Sequence, residues 1–442
     1  MFFIYIYNMN ININRVFGVL FLVIFISVLV VLFNSKYYNL IFIVSSFVYI
    51  IYGLVFLNIF EKHTDFSDPI PKYYPKLTVL IPAHNEESTI LDTIKGVKNL
   101  EYPKPLEIIV LDDGSADGTY EKIKNIKDVK VVRFEKNKGK ASVLNHGISI
   151  SKGEFIVTID ADTYPQKDAL MKMIGHFNDL KVGAVTTLVT VDKPKSFLQR
   201  LQELEYYAAF GFWHKSLSSI DCLYVTPGPM SIYRRKALLE IGGYDEGNIT
   251  EDMEIALNLK KHSYKIACCV NTKVSTGVPY NIKSFIRQRL RWYRGALYNS
   301  LFKHKSLHFD KKNIEFGFFI FPLFLSTIFI AASLIFGIIF LNVKIIIDTI
   351  SLFLMNLSAG GFNWNFLFNW DIFMIPAYYI NMLIISSIWG YFLYRGYKLD
   401  KERSMNKGSI YIIFYLFFYG LILGAMYLLS IFYEALGINK KW

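Results

Sequence analysis

The sequence predicts an α/β domain with a parallel sheet, set between blocks of apolar helix, and three observations predict it. Apolar residues crowd the two ends of the chain. The middle alternates short apolar runs with longer helical stretches. Polar residues collect just after the apolar runs, where one edge of a sheet would lie. Of the 442 residues, 53% are hydrophobic and 17% aromatic, yet there are 48 Lys and Arg against 36 Asp and Glu, a formal net charge of +12. That mixture is not one soluble domain.

The ends come first. Residues 16–33 and 40–60 each supply the ~20 apolar residues needed to cross a bilayer. Residues 316–341, 372–393 and 410–433 are three more such runs. Residues 1–62 are therefore expected to hold two transmembrane helices and residues 313–442 three. Orientation follows from the basic residues. Residues 34–39 carry Lys36 alone and residues 342–370 carry Lys344 alone, whereas Arg395, Lys398, Lys401, Arg403 and Lys407 follow the fourth span. The expectation is a multi-pass protein of the plasma membrane with its central domain and that loop on the cytoplasmic side. The positive charge then reads as a positive-inside bias plus attraction to anionic membrane lipid and to phosphate. Basic residues are not interleaved with aromatics on an exposed sheet, so no nucleic-acid partner is expected. No charge precedes Arg15 and no small-residue site follows the first apolar run, which speaks against a cleavable leader. Cys222, Cys268 and Cys269 show no metal-ligand spacing and are expected to be reduced, structural thiols.

The central domain is expected over residues 76–280. Residues 77–82, 107–112, 129–134 and 155–159 are apolar runs of strand length. Helical stretches separate them, the pattern of a parallel sheet covered on both faces. His84 and Glu86 follow the first run, and Asp112-Asp113-Gly114-Ser115 closes the second. Lys138-Gly139-Lys140 follows the third, and Asp160-Ala161-Asp162 the fourth. Ligands of such sheets bind outside the carboxyl ends of the strands. The shared edge is the argument for one site.

Each motif also has a plainer reading. Asp160 and Asp162, one residue apart, suit Mg2+ or Mn2+ bridging phosphates; a turn capping the next helix is the alternative, and the position after a strand favours the metal. Asp112 to Ser115 is either a turn with an N-cap or an acceptor for a base N–H or ribose hydroxyl. Lys140 is either solvated or placed at a helix start to neutralise a diphosphate. Glu251 and Asp252 open a helical stretch, where the macrodipole favours acids; the other reading is a catalytic base. Residues 281–312 are expected to be interfacial and amphipathic. Phe285, Leu290, Tyr293 and Leu297 lie along one side of a helix, Arg287, Arg291 and Arg294 along another. Such a helix suits a membrane surface, with the corner formed by Gln288, Arg291 and Trp292 turned toward the site.

Taken together, Ile81-Pro-Ala-His-Asn-Glu86, Asp112-Asp-Gly-Ser115, Asp160-Ala-Asp162, Thr226-Pro-Gly-Pro229, Thr250-Glu-Asp252 and Gln288-Arg-Leu-Arg-Trp292 resemble the membrane-embedded family 2 glycosyltransferases. That group includes cellulose, chitin, hyaluronan and poly-N-acetylglucosamine synthases, and the arrangement of two spans before and three after looks most like the last. The resemblance implies a Rossmann-like GT-A fold and inverting, metal-dependent transfer from a UDP-sugar, with UDP-GlcNAc the first choice, to a growing β-linked polysaccharide that is moved across the membrane. It implies that Asp112 and Asp113 bind uridine, with His84 and Glu86 beside the nucleotide-sugar, and that Lys140 meets the diphosphate. Asp160 would contact the nucleotide and, with Asp162, the Mg2+ or Mn2+. Asp252 would be the general base. Gln288 and Arg291 would steady the diphosphate, and Gly228, Pro229, Glu251 and Trp292 would shape the acceptor side. His84 stands where many relatives carry Tyr, and cellulose synthase's gating loop and regulatory domain have no counterpart. Two alternatives stay open: a non-processive enzyme adding one sugar to a lipid-linked acceptor, and a catalytically silent membrane scaffold. A small accessory membrane subunit is compatible with either enzyme.

Overall fold

The computed structural model describes residues 38–322, 347, 350, 351, 354, 355, 377–400 and 409–438. The chain divides into two compact units. One comprises Val55–Pro322 with Gly390–Tyr415, and the other Met1–Leu54, Leu323–Trp389 and Leu416–Trp442.

The first unit is built on one sheet. Its strands are β1 (Leu77–Ala83), β2 (Glu107–Asp112), β3 (Lys130–Arg133), β4 (Phe155–Thr158), β5 (Thr163–Pro165), β6 (Val182–Val191), β7 (Ser231–Arg234) and β8 (Lys265–Thr276), in the spatial order 3-2-1-4-7-6-8-5. The four strands legible as apolar runs are mutually parallel neighbours, with Ile81 opposite Val110 and Val79 opposite Val157. The expected all-parallel sheet is corrected in its other half. There β7 runs antiparallel between β4 and β6, and β5 runs antiparallel to β8. Every residue of β1 and of β6 is buried, as strands covered on both faces must be.

Helices cover the sheet. Leu77, Val79 and Ile81 share a core with Ile90, Ile94 and Val97 of the helix Ile90–Lys98. Successive side chains on a strand alternate faces, so Thr78 and Leu80 point the other way, toward the helix Lys140–Ile150. In chain order the helices are α1 (Tyr38–Asn58), α2 (Ile90–Lys98), α3 (Thr119–Ile123), α4 (Lys140–Ile150), α5 (Ala169–Ile174), α6 (Phe197–Tyr206), α7 (His214–Ser219), α8 (Arg235–Glu240), α9 (Glu251–Lys261) and α10 (Ile282–Tyr298). Two helix ends carry side-chain caps that explain their starts. Ser196 and Gln199 form a capping box on α6, and Asn281 accepts from the Ser284 N–H at the start of α10.

Of the expected spans, residues 16–33 lie outside the described residues, and residues 316–341 leave them after residue 322. Residues 40–60 fall largely on α1, which has no charged side chain, and residues 372–393 on α11 (Ala377–Lys398). Residues 410–433 fall on α12 (Ser409–Phe414), a π-helical turn and α13 (Gly420–Ala435). Among the described residues one stretch, Ile410–Ala435, is long and apolar enough to cross a membrane by length and composition.

Candidate active site

The carboxyl edge of the parallel half is where the polar residues meet. His84 follows β1 and is exposed; its Nδ1 donates to the Asp113 carbonyl at 2.8 Å. Asp113, just past β2, is buried. Its two carboxylate oxygens accept from the Lys138 and Gly139 N–H groups at 2.6 and 2.9 Å. One carboxylate therefore ties the loop after β3 to the end of β2 and fixes where α4 starts. Asp112 is fully buried and accepts from the Ser115 N–H at 3.2 Å. The turn reading and the ligand reading are compatible here, because the turn is what holds these acids at the edge.

Lys140, first residue of α4, is the electrostatic centre. Its Nζ lies 2.6 Å from Asp160 Oδ1 and 3.2 Å from Glu251 Oε1. Burial opposes the lysine charge, but Asp160 and Glu251 outweigh it and hold the pKa well above the ordinary range. Gly228 lies directly over this pair. A Cβ there would sit 2.6 Å from Asp160 Oδ2 and 2.7 Å from Lys140 Nζ, so any side chain at this position must displace one of the pair; half-buried Pro229 lies next to it. Thr226, in the same loop, donates through its N–H and its hydroxyl to the Asp252 carbonyl. The loop thus binds the start of α9 to the acid cluster.

Asp162 is set apart from Asp160. Its Oδ1 accepts from the Thr276 hydroxyl at 3.1 Å and from the Thr163 hydroxyl at 3.3 Å. Burial and the charges of Asp160 and Glu86 push it up to about 6. Burial also raises Glu86, against a hydrogen bond from Thr89, and Asp160 adds to the rise. The three carboxyls lie in each other's field and offer oxygen alone, the ligand type a hard divalent cation takes.

At the start of α9 two adjacent acids part company. Burial alone would raise Glu251, but Lys140 and Arg291 pull it below the usual carboxylate range. Asp252 is pushed up to about 6 by burial and by Glu251 beside it, with Lys140 and Arg291 opposing. One acid is held below the usual carboxylate range while its neighbour is pushed up to about 6. Paired carboxyls driven apart in this way are a signature of assigned acid and base roles.

The helix α10 reaches this cluster through a close approach. A Cβ on Gly295 would lie 2.1 Å from Thr250 Oγ1, and Asn299 Nδ2, just beyond α10, donates to that oxygen at 3.0 Å. Arg291 thereby comes within electrostatic reach of Glu251 and Asp252. Gln288 is half-buried with its amide oxygen buried and without a hydrogen-bond partner. Trp292 packs against the core. The expected basic stripe is corrected in part, since Arg294 is buried, Arg287 exposed and Arg291 between them. Ile282, the first residue of α10, is exposed as well.

Sequence reasoning passed over Arg289. It is fully buried, with Nη2 2.6 Å from Glu205 Oε2 and its guanidinium 4.2 Å from the centre of the Trp292 ring. Its partner on α6 lies 84 positions earlier in the chain, so no local pattern reveals it. The only signal was an arginine on the buried side of an amphipathic helix.

Residues 78–242 match the family model described as glycosyl transferase family 2. Over those residues the chain is similar to the family 2 glycosyltransferases. It is 34% identical over 224 residues to the poly-beta-1,6-N-acetyl-D-glucosamine synthase of Staphylococcus epidermidis, covering 50% of this chain and 54% of that protein. It is 33% identical over the same length to the synthase of the same name from Staphylococcus aureus, again covering 54% of it. The match thus spans about half the length of these curated relatives. Among solved structures, the mannosyltransferase PcManGT from Pyrobaculum calidifontis, in complex with GDP-Man and Mn2+, superposes with a TM-score of 0.57 at 19% identity. That superposition covers 83% of this chain and all of that one. It shows that the glycosyltransferase domain has the GT-A-like α/β fold.

Proposed function

We propose that this chain transfers a sugar from a UDP-sugar, UDP-GlcNAc in the first place, to the end of a β-linked polysaccharide with inversion, and that it passes the product across the membrane. The observation that carries this reading is the pair Lys140 and Asp252 about Glu251, one a cation 3.2 Å from Glu251 and the other a carboxyl that Glu251 and burial push up to about 6. Inverting displacement at an anomeric carbon needs a base on the acceptor face and charge stabilisation on the leaving-group face. Asp252 serves as the base and takes the acceptor hydroxyl proton. Lys140 and Arg291 face the leaving diphosphate, and the Gln288 amide NH2 would donate to it.

The diphosphate exchanges partners with the acid cluster. Lys140 rests against Asp160 and Glu251. An incoming diphosphate competes for that ammonium and releases Asp160 toward Asp162. Asp160 and Asp162 would then hold Mg2+ or Mn2+, which supplies charge neutralisation on the diphosphate when bound. Asp112 and Asp113 place the uridine side, with His84 and Glu86 beside it, and Trp292, Gly228 and Pro229 shape the acceptor side. The identity to the two staphylococcal synthases supports N-acetylglucosamine as the sugar. The apolar stretches at both ends of the chain support a plasma-membrane location, with the domain on the cytoplasmic side.

The test is product size. Purified protein in detergent with Mn2+ or Mg2+ receives labelled UDP-sugars one at a time. A high-molecular-weight polymer from UDP-GlcNAc, lost on chelation, is the expected result. A small lipid-extractable product would replace the polymer reading with single transfer.

A further inference from the structure

Away from the carboxyl edge, three side chains from distant parts of the chain converge. Asp68 lies on the segment leading into β1, His176 in the 3-10 turn Gly175–Asn178, and Cys269 in β8. One ligand-type atom of each lies within 4.8 Å of the others. Cys269 is buried, and its thiol donates to Asp68 Oδ1 at 3.4 Å. The Asn271 amide donates to the same oxygen at 3.1 Å, the kind of outer hydrogen bond that fixes a ligating carboxylate. The His176 Nε2 is buried without a hydrogen-bond partner. Orphaned buried polar atoms are uncommon enough to require a reason. Sequence spacing gave no hint of this cluster, because its members come from three separate elements.

We propose that Asp68, His176 and Cys269 bind a borderline-soft divalent metal of the Zn2+ class. Thiolate, carboxylate and neutral imidazole are the ligand types such an ion selects, and the two anionic ligands balance its charge. Binding transfers the Cys269 thiol proton to solvent. Bond lengths of about 2.0 to 2.3 Å put tetrahedral ligand atoms about 3.3 to 3.8 Å apart. A shift of about 1 Å inward from the present spacing therefore closes the site. Lys215, whose charge reaches His176, is engaged elsewhere, its Nζ donating to the Cys268 carbonyl at 2.9 Å. The ion acts as a clasp. The segment before β1 already meets the turn Gly175–Asn178 through Asn178 Nδ2 to the Ile70 carbonyl and the Lys72 N–H to Asn178 Oδ1, and β8 through the Asn271 amide; the metal would tie all three together. The thiolate separates this site from Asp160 and Asp162, which offer oxygen alone.

The test is Co2+ titration of metal-stripped, purified full-length protein, read by absorption. The expected result is a thiolate-to-cobalt charge-transfer band, saturating at one ion per chain and displaced by Zn2+. Cys269→Ser removes that band, whereas Cys268→Ser and Asp162→Asn retain it. His176→Gln keeps the thiol and weakens Co2+ binding by about tenfold or more, which covers the case in which Cys269→Ser does not fold. Absence of the band in the unsubstituted protein, or a band that survives Cys269→Ser with unchanged affinity, overturns the proposal. The outcome does not depend on which sugar, if any, the domain transfers.

Discussion

Asp252 carries the sharpest consequences at the scale of single residues. A general base must be ionised, and burial with Glu251 beside it pushes Asp252 up to about 6. Turnover is therefore expected to fall as pH drops through about 6 and to level off above it, in a pH profile of initial rates. Asp252→Asn should cost about 10²- to 10⁴-fold in rate. The sign for stability is the opposite. A carboxyl raised from 3.8 to about 6 is easier to ionise in the unfolded chain, so its contribution turns unfavourable as pH rises through that window and is fully unfavourable above it. The Asn variant should then melt at or above the temperature of the parent protein at pH 7, by calorimetry. Activity and stability parting in this direction marks a residue kept for chemistry. Gly228→Ala makes a different point. The added methyl has to push Asp160 or Lys140 away, and displacement of about 1 Å at such a site can cost about 100-fold. A rate assay beside a melting curve should show the loss mainly in rate.

At the scale of elements, the approach of α10 to α9 is the critical packing event. Gly295→Ala drives a methyl into Thr250 Oγ1, and overpacking of this kind costs about 1–3 kcal/mol, measurable by denaturant unfolding. Arg289 and Glu205 brace the same helix from the other side. Removing one partner of a buried ion pair costs about 3–5 kcal/mol, whereas replacing both by apolar residues is often neutral. Arg289→Met should therefore be strongly destabilising and Arg289→Met with Glu205→Leu much less so; with Glu205→Leu alone as the fourth corner, the cycle measures the coupling of the pair. These elements also show what sequence can reveal. Strands β1, β2 and β4 were legible because strands buried on both faces are continuous apolar runs. The edge carrying His84, Asp113, Lys140 and Asp160 followed from that alone. The antiparallel insertion of β7 between β4 and β6 was not legible, since pairing across the sheet leaves no local period. Asn271 and Lys273 interrupt β8 with polar side chains. Arg289 was invisible for the same reason, its meaning lying in a partner on another helix.

For the molecule as a whole, the two ends and the middle tell one story. On the proposed reading, the apolar ends and the basic excess hold the domain at a membrane, and the acid cluster receives a substrate that brings two phosphates. Chelation of divalent ions should abolish transfer, and re-addition of Mn2+ or Mg2+ should restore it. Carboxyls released from mutual repulsion should also raise the melting temperature when the ion is present with nucleotide diphosphate. The central claim is that this site performs transfer from a UDP-sugar with Asp252 as base. UDP release from UDP-GlcNAc with Mn2+, by the parent protein and Asp252→Asn side by side, tests it most directly. The account predicts release by the parent protein that declines below about pH 6, and at least a 100-fold loss in the variant with no loss of melting temperature. Equal release by the two proteins would contradict it.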